Sequence, residues 1–435
     1  MPHDDFGATG DARFSLPARR DFLKAIAASL GGAAVLGELP WLSPLRAAPP
    51  GRSPSDRVRL GLIGVGSRGR FLMDHLLRTP GVEVAGVCDD YAPHLESAHA
   101  ATGGKAFVTP DYRVLLDMQG IDGVVIVTPL HLHAPMCLAA FAAGKHVFCE
   151  KSLALTIDDC KRVATAASRS SSVFHIGHQR LFDARFHKAF DHMRRGDLGP
   201  ITQIRAYWHR NMDWRRTPPS PDLERRLNWR LYREYSAGLM GELASHHLHV
   251  TNWILDGPPL ACIGYGSTNY WRDGREVFDN VNVVYRYAGD VQLVYDSLSS
   301  NKHHGMEVQV MGPKGTIELE TGRMFWETPP EVFPSSGVAE LARQLEDGPA
   351  ATVPLAAPTW SAELESTADG VPIVANWAGD DGTGLSLAAF ANAVRSGEQT
   401  PHMIDHAYRS GVAALMGLHA MEQRREIAWP GNYAA

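Results

Sequence analysis

The stretch Gly64-Val65-Gly66-Ser67-Arg68-Gly69 follows an apolar, branched run at Val58–Ile63 and opens a helix-like segment. No other feature constrains the fold as tightly. Gly64 permits a tight turn, Gly66 lets backbone N–H groups approach a phosphate, and Gly69 completes the spacing of a dinucleotide fingerprint. The helix start, at Ser67, adds partial positive charge, and Arg68 is expected near the phosphates or the adenine. About twenty residues further on, Asp89 and Asp90 close the next apolar run, where a carboxylate accepts hydrogen bonds from ribose hydroxyls and repels a 2′-phosphate. The expected cofactor is NAD, with NADP the alternative.

Apolar runs recur at 82–87 and 124–127, each followed by a helix-like stretch. Strands alternating with helices predict a doubly wound parallel sheet, a Rossmann domain over 57–178, with right-handed crossovers and helices on both faces. From about Gly177 strands follow one another with period-two alternation, at 201–208, 281–287, 291–295, 308–310 and 316–319. Ala288-Gly289-Asp290 suits a tight hairpin. An α+β domain with a large, open, mostly antiparallel sheet is therefore expected over 179–435. It would bind substrate, and its free sheet face suits assembly into a dimer or tetramer. Residues 329–382, rich in Pro, Ala and Ser, read as a long irregular excursion. Helical faces follow at Leu387, Phe390, Ala391 and Val394, closed by Gly397, and at Val412, Leu415 and Met416.

With a formal net charge of -6 and no clustered Lys/Arg stripe, the chain offers nothing to a nucleic-acid backbone. Its N-terminus reads as an address. Arg19-Arg20-Asp21-Phe22-Leu23-Lys24 precedes an Ala/Leu/Gly-rich run at 25–36, then Pro40 and Ala47-Ala48. This resembles a twin-arginine export signal over 1–48, joined by a linker at 49–56, although Ala18 stands where Ser or Thr is usual. The run is too short and glycine-rich for a stable membrane anchor. The resemblance implies the twin-arginine translocation machinery as a partner and a periplasmic or otherwise exported location. The five cysteines lack metal-site spacing and read as buried thiols.

Beyond the fourth strand stand Thr128-Pro129-Leu130-His131-Leu132-His133 and then Gly144-Lys145-His146-Val147-Phe148-Cys149-Glu150-Lys151-Ser152. Further on, Gly238 to His249 carries Glu242 and His246 at i, i+4, which places both on one helix face. These motifs resemble the Gfo/Idh/MocA oxidoreductases from Val58 to about residue 320. Ser152 replaces a proline, Glu242 an aspartate, Ala244 a glycine and His249 an aspartate.

The resemblance implies that Thr128, Pro129, His131, His133, Glu150, Lys151 and Gln179 join Gly64, Gly66, Ser67, Arg68, Gly69 and Asp89 around the cofactor. It also implies a catalytic set of Lys151, His246 and Glu242. Oxidation of a carbinol carbon requires loss of the hydroxyl proton, which a neutral histidine can take. Lys151 would stabilise the charge developing on that oxygen, and Glu242 would orient the substrate or the imidazole. Aromatic and basic residues, namely Trp208, His209, Trp229, Tyr232 and Trp271, with Arg180 and His247, suit a pyranose face and its hydroxyls. The aromatics suit domain or subunit packing equally well. His246, His247, His249 and His303-His304 invite a metal reading, but helix ligands usually stand at i, i+4 with a third elsewhere, so no metal is expected.

The expected function is an exported oxidoreductase with tightly bound NAD that acts on a secondary alcohol of a sugar, glycoside or cyclitol. Two alternatives stand beside it. One is an NAD-dependent glycoside hydrolase working by oxidation, elimination, hydration and reduction. The other is a nucleotide-bearing sugar-binding protein without catalysis.

Overall fold

The computed structural model describes residues 57–327, 370–374 and 381–433. The expected signal at 1–48, the linker at 49–56 and most of the excursion at 329–382 lie outside the described residues.

The first domain alternates strand and helix: β1 (Val58–Ile63), α1 (Ser67–Arg78), β2 (Val82–Cys88), α2 (Ala92–Ala101), β3 (Phe107–Thr109), α3 (Tyr112–Asp117), β4 (Gly123–Ile126), α4 (His133–Ala142), β5 (His146–Cys149), α5 (Ile157–Arg169) and β6 (Phe174–Ile176). All six strands pair in parallel, in the order β3-β2-β1-β4-β5-β6. Helices cover both faces, so the central strands are apolar throughout; every residue of β4 is buried. From β1 the chain proceeds to one side of the sheet and from β4 to the other. A crevice therefore opens at the carboxyl ends of these two neighbours.

The second domain begins with α6 (Ala184–Arg195) and β7 (Gln203–His209). A π-helical turn at Met240–Ala244 then leads into α7 (Ser245–Ile254). Strands β8 (Ala261–Ser267), β9 (Asn280–Arg286), β10 (Gln292–Leu298), β11 (Met306–Gly312), β12 (Gly315–Glu318), β13 (Arg323–Trp326), β14 (Val371–Pro372) and β15 (Ile427–Ala428) complete a nine-stranded sheet with β7. Its order is β14-β13-β12-β11-β7-β10-β9-β8-β15, antiparallel everywhere except β7 beside β10. Ala288-Gly289-Asp290 turns β9 into β10, with Gly289 and Asp290 at positive φ.

Among the described residues one sheet face is packed and the other open. Along β9, Val281, Val283 and Tyr285 are buried, while Asn282, Val284 and Arg286 point outward and are exposed. The inner face receives α7 and α9 (Met403–Gln423): Tyr287 donates to Asn252 of α7 at 2.8 Å, and Tyr285 to the Ala413 carbonyl of α9 at 3.0 Å. Tyr265 lies on the open face, 75% exposed.

The chain does not stay in the second domain to its end, as the expected 179–435 boundary implies. Helix α8 (Thr383–Ser396) returns to the Rossmann sheet, where Leu387, Phe390 and Ala393 join the core formed by Leu60, Leu62, Leu72, Leu76 and Val87. An apolar helix face goes to whichever sheet face is uncovered, and sequence order does not decide that. All five cysteines are free and buried. Among the described residues no helix is long and apolar enough to cross a membrane.

Candidate active site

The glycine loop is shaped by close contacts. Gly64 has φ 89°, and a Cβ there would lie 2.7 Å from the Val127 carbonyl oxygen. At Gly69 a Cβ would collide with the Gly64 carbonyl oxygen, so the loop closes and α1 packs on β1 only with glycine at both places. Gly66 faces open space apart from the His94 ring, 3.4 Å from its would-be Cβ. Helix α1 has no side-chain cap and no acidic residue in its first turn, which leaves its N–H groups open to an anion. Asp89 accepts from the N–H of Val65 at 2.8 Å and of Tyr91 at 2.9 Å, and His94 stands 3.5 Å away. Burial alone would raise its carboxyl; the His94 and backbone bonds outweigh that and hold it below the usual range.

Around this loop lies a cleft of about 720 Å³, walled by both domains. Gly64, Gly66, Ser67, Arg68, Gly69, Asp89, Thr128, Pro129, His131 and Trp229 all line it. Glycines that keep a cradle open, an uncapped helix start and a carboxylate at the end of β2 fit an NAD-type dinucleotide.

At the carboxyl end of β5 the side chains are buried and charged. Glu150 is 4% exposed and accepts from Arg68 Nε at 2.8 Å. Lys151 Nζ donates to the Glu242 carbonyl oxygen at 2.8 Å, and the Lys151–Ser152 peptide is cis. Burial lowers the Lys151 ammonium below the usual lysine value, against the opposing charges of Glu242 and Glu150. The π-helical turn brings Glu242 to Arg230, whose Nε donates to its carboxylate at 2.7 Å. Burial would raise Glu242, but Arg230 and Lys151 hold it low.

His246 is 7% exposed, its ring 5.8 Å from that of His178 and 5.5 Å from that of Trp208. Burial pushes it well below the usual histidine range, and the Arg180 and Lys151 charges add to that. Burial thus keeps the His246 imidazole neutral and a backbone carbonyl fixes the Lys151 ammonium, although Glu150, Lys151, Gln179, Glu242 and His246 are not among the residues that line the cleft. That combination can take a proton from a hydroxyl and stabilise the oxygen left behind.

Residues 58–178 match the family described as "Oxidoreductase family, NAD-binding Rossmann fold", and 186–318 match the GFO/IDH/MocA C-terminal domain. The chain belongs to the Gfo/Idh/MocA oxidoreductases. Its first domain is NAD-binding. A glycosyl hydrolase family 109 protein of Shewanella pealeana is 32% identical over 44% of this chain, which spans half of that protein. The NAD(+)-type scyllo-inositol 2-dehydrogenase of Bacillus subtilis is 24% identical over 61% of this chain and 75% of its own length. Among solved structures, levoglucosan dehydrogenase with NADH and levoglucosan superposes with a TM-score of 0.65 at 20% identity, over 86% of this chain and all of that one. The myo-inositol 2-dehydrogenase of Lactobacillus plantarum does so with 0.64 at 19%, over 86% and 99%.

Several expected contacts of this Gfo/Idh/MocA chain fall elsewhere. His133 is 2% exposed, and its two ring nitrogens lie 2.8 Å from the Ser152 carbonyl and 3.0 Å from that of Thr128. It ties the β4 turn to the Lys151 turn and does not face the cleft. Arg68 lines the cleft beside the glycine loop and also bonds Glu150 through its Nε. Glu242 is held by Arg230 rather than by His246. His247 is fully buried, stacked on Trp208 at 5.4 Å, and serves to support that indole. His209 pairs with Asp296 on the open sheet face, because neighbours along a strand point to opposite sides. Tyr232 donates to Glu224 at 2.8 Å, and the Trp271 N–H to the Ser299 carbonyl at 3.1 Å; neither lines the cleft.

Arg180 is 6% exposed, bonded to Glu320 at 2.6 Å, with its guanidinium 5.4 Å from the Trp208 ring centre and one buried nitrogen that has no partner among the described residues. Gln179 likewise has a buried, unpartnered side-chain oxygen. Among the described residues no group of three or more His, Cys, Asp or Glu could hold a metal ion. Sequence reasoning missed Arg216, Arg226, Arg230 and Tyr235, which line the cleft from the second domain. The density of arginine between 205 and 235 was their only signal.

Proposed function

We propose that this protein is an exported, NAD-dependent oxidoreductase acting on a secondary alcohol of a sugar, glycoside or cyclitol. The observation that carries the reading is Lys151 Nζ bonded to the Glu242 carbonyl, four residues before His246, whose buried imidazole is neutral and feels the Lys151 charge. Bound NAD supplies the hydride acceptor. His246 takes the hydroxyl proton. Lys151 spends one N–H on the Glu242 carbonyl and keeps two for the substrate oxygen, where negative charge develops. Arg230 holds the Glu242 carboxylate, and so keeps the π-helical turn and the carbonyl that positions Lys151 in register. Trp208, half-buried and flanked by Arg180 and Arg210, offers an apolar face for a sugar ring.

Export by the twin-arginine route, read from Arg19-Arg20 and the run that follows, requires that the cofactor be retained, since free nicotinamide nucleotides are a cytosolic supply. The open face of the nine-stranded sheet suits a dimer or tetramer. The family 109 relatives favour a second reading, in which oxidation, elimination of an aglycone, hydration and reduction close a cycle with no net redox change. Incubating the protein with sugars, cyclitols and aryl glycosides separates the two. A keto product supports the oxidoreductase, a freed aglycone without net oxidation supports the hydrolase, and neither product from any of the three classes contradicts both.

A further inference from the structure

Residues 213–235 of the second domain cross above the glycine loop of the first. Their frame is built from internal bonds. Asn228, 1% exposed, accepts from the Arg216 N–H at 2.7 Å and donates to the Arg216 carbonyl and to Glu224, both at 2.9 Å. Tyr232 donates to Glu224 at 2.8 Å, and Arg215 bridges Glu224 and Asp273. Arg225 bonds Glu234 and Glu276, both at 3.1 Å.

Two guanidinium groups project from this frame onto the first domain. Arg216 Nη2 donates to Ser67 Oγ at 3.1 Å, at the uncapped start of α1. Arg226 Nη2 meets Asp90 at 2.8 Å, its guanidinium 5.9 Å from the Tyr91 ring centre. Both arginines line the cleft with Gly66 and Asp89. Among the described residues Arg216 has no carboxylate partner, although every other cation of the frame named above has one. An unpaired guanidinium beside free helix N–H groups is a place for a doubly charged anion.

We infer that Arg216 and Arg226 form a clasp, supplied by the substrate domain, that retains the cofactor. Arg216 binds the pyrophosphate opposite the glycine loop, and the Arg226–Asp90 pair closes the adenosine end. The inference rests on the NAD reading of the cleft and adds to it a second wall on which no dinucleotide fingerprint bears. The two arginines are unequal in role. Both are exposed, so solvent and salt weaken each, but Arg226 acts through Asp90, itself 75% exposed, whereas the clasp has Arg216 meet the phosphates directly.

The test follows nucleotide release from the full chain loaded with NAD and desalted, by the mass and amount of nucleotide that stays with the protein over time. Wild type should retain its nucleotide through desalting and lose it faster as salt rises. Arg216→Ala should release it about 10- to 100-fold faster, the range for a lost bond to a charged group. Arg226→Ala should release it about two- to fivefold faster. A folded Arg216→Ala protein that releases NAD at the wild-type rate overturns the clasp. If that variant fails to fold, salt-independent release from wild type overturns it instead. Turnover is not read here, so a protein that retains NAD through Arg216 yet oxidises no sugar contradicts the enzyme reading alone.

Discussion

At the glycine-loop end of the cleft the working parts are backbone N–H groups and one carboxylate, set by residues 64–69 and 89 within a single strand-helix-strand unit. At the Lys151 end, beyond the residues that line the cleft, they are buried side chains drawn from the end of β5, the π-helical turn, α7 and β7, and the Lys151–Glu242 and Trp208–His246 contacts span tens of residues. A local pattern can specify the first end, because glycine spacing and a helix start are chain-local facts. The second end exists only once two domains have packed. Mutations at the two ends should accordingly fail in different ways, chemistry at one and cofactor choice at the other.

The largest effect is expected from Lys151→Met, which removes the ammonium but keeps the buried stem. Turnover should drop by roughly 10³-fold, the scale for losing one preorganised donor to a developing oxyanion, while the nucleotide stays bound. Steady-state rates set against nucleotide content check this. Loss of the nucleotide together with the activity would erase the distinction between the two ends.

An acid titration sharpens the contrast next. Burial drives His175 to about 3, His187 to about 4 and His406 to about 3, and drives His178, His246, His247 and His249 well below their ordinary value. Their folded values lie below the unfolded value of about 6.5. The stability they confer is therefore complete above pH 6.5 and is lost as pH falls toward the folded values, each by about 1.4 kcal/mol per pH unit. Melting temperature should fall steeply below pH 6.5, and acid unfolding should take up more than one proton. A flat profile from pH 6.5 to 4.5 would contradict the neutral, buried state of these rings.

Asp89→Ala carries the smallest effect. NAD should lose its advantage over NADP by about tenfold, the scale of one lost bond to a charged group, as binding titrations with both nucleotides would show. An unchanged preference would mean that Asp89 serves only the Val65 and Tyr91 N–H groups.

The same contrast explains what could be read from sequence. Strand β1 and the loop after it lie where residues 58–69 place them, since periodicity and glycine geometry are local. The alternation along β7 already separates Trp208 from His209; pairing both with a sugar ignored the strand's own period. The chain order could not show that α8 returns to the first domain, that Arg216 reaches Ser67, or that His133 bridges two carbonyls. Each depends on which surfaces remain uncovered after the sheets have formed. The parallel pairing of β7 with β10 is of the same kind, because β7 inserts between β10 and β11 from far away in sequence.

The central claim is that an alcohol is oxidised within the cleft by a nucleotide that does not leave it. A sugar or cyclitol deuterated at its carbinol carbons, turned over once by desalted protein and followed by denaturation, tests this directly. The account predicts that the released nucleotide carries one deuteron in wild type and none in Lys151→Met. Product formed by wild type with no deuteron on the protein-bound nucleotide would contradict it.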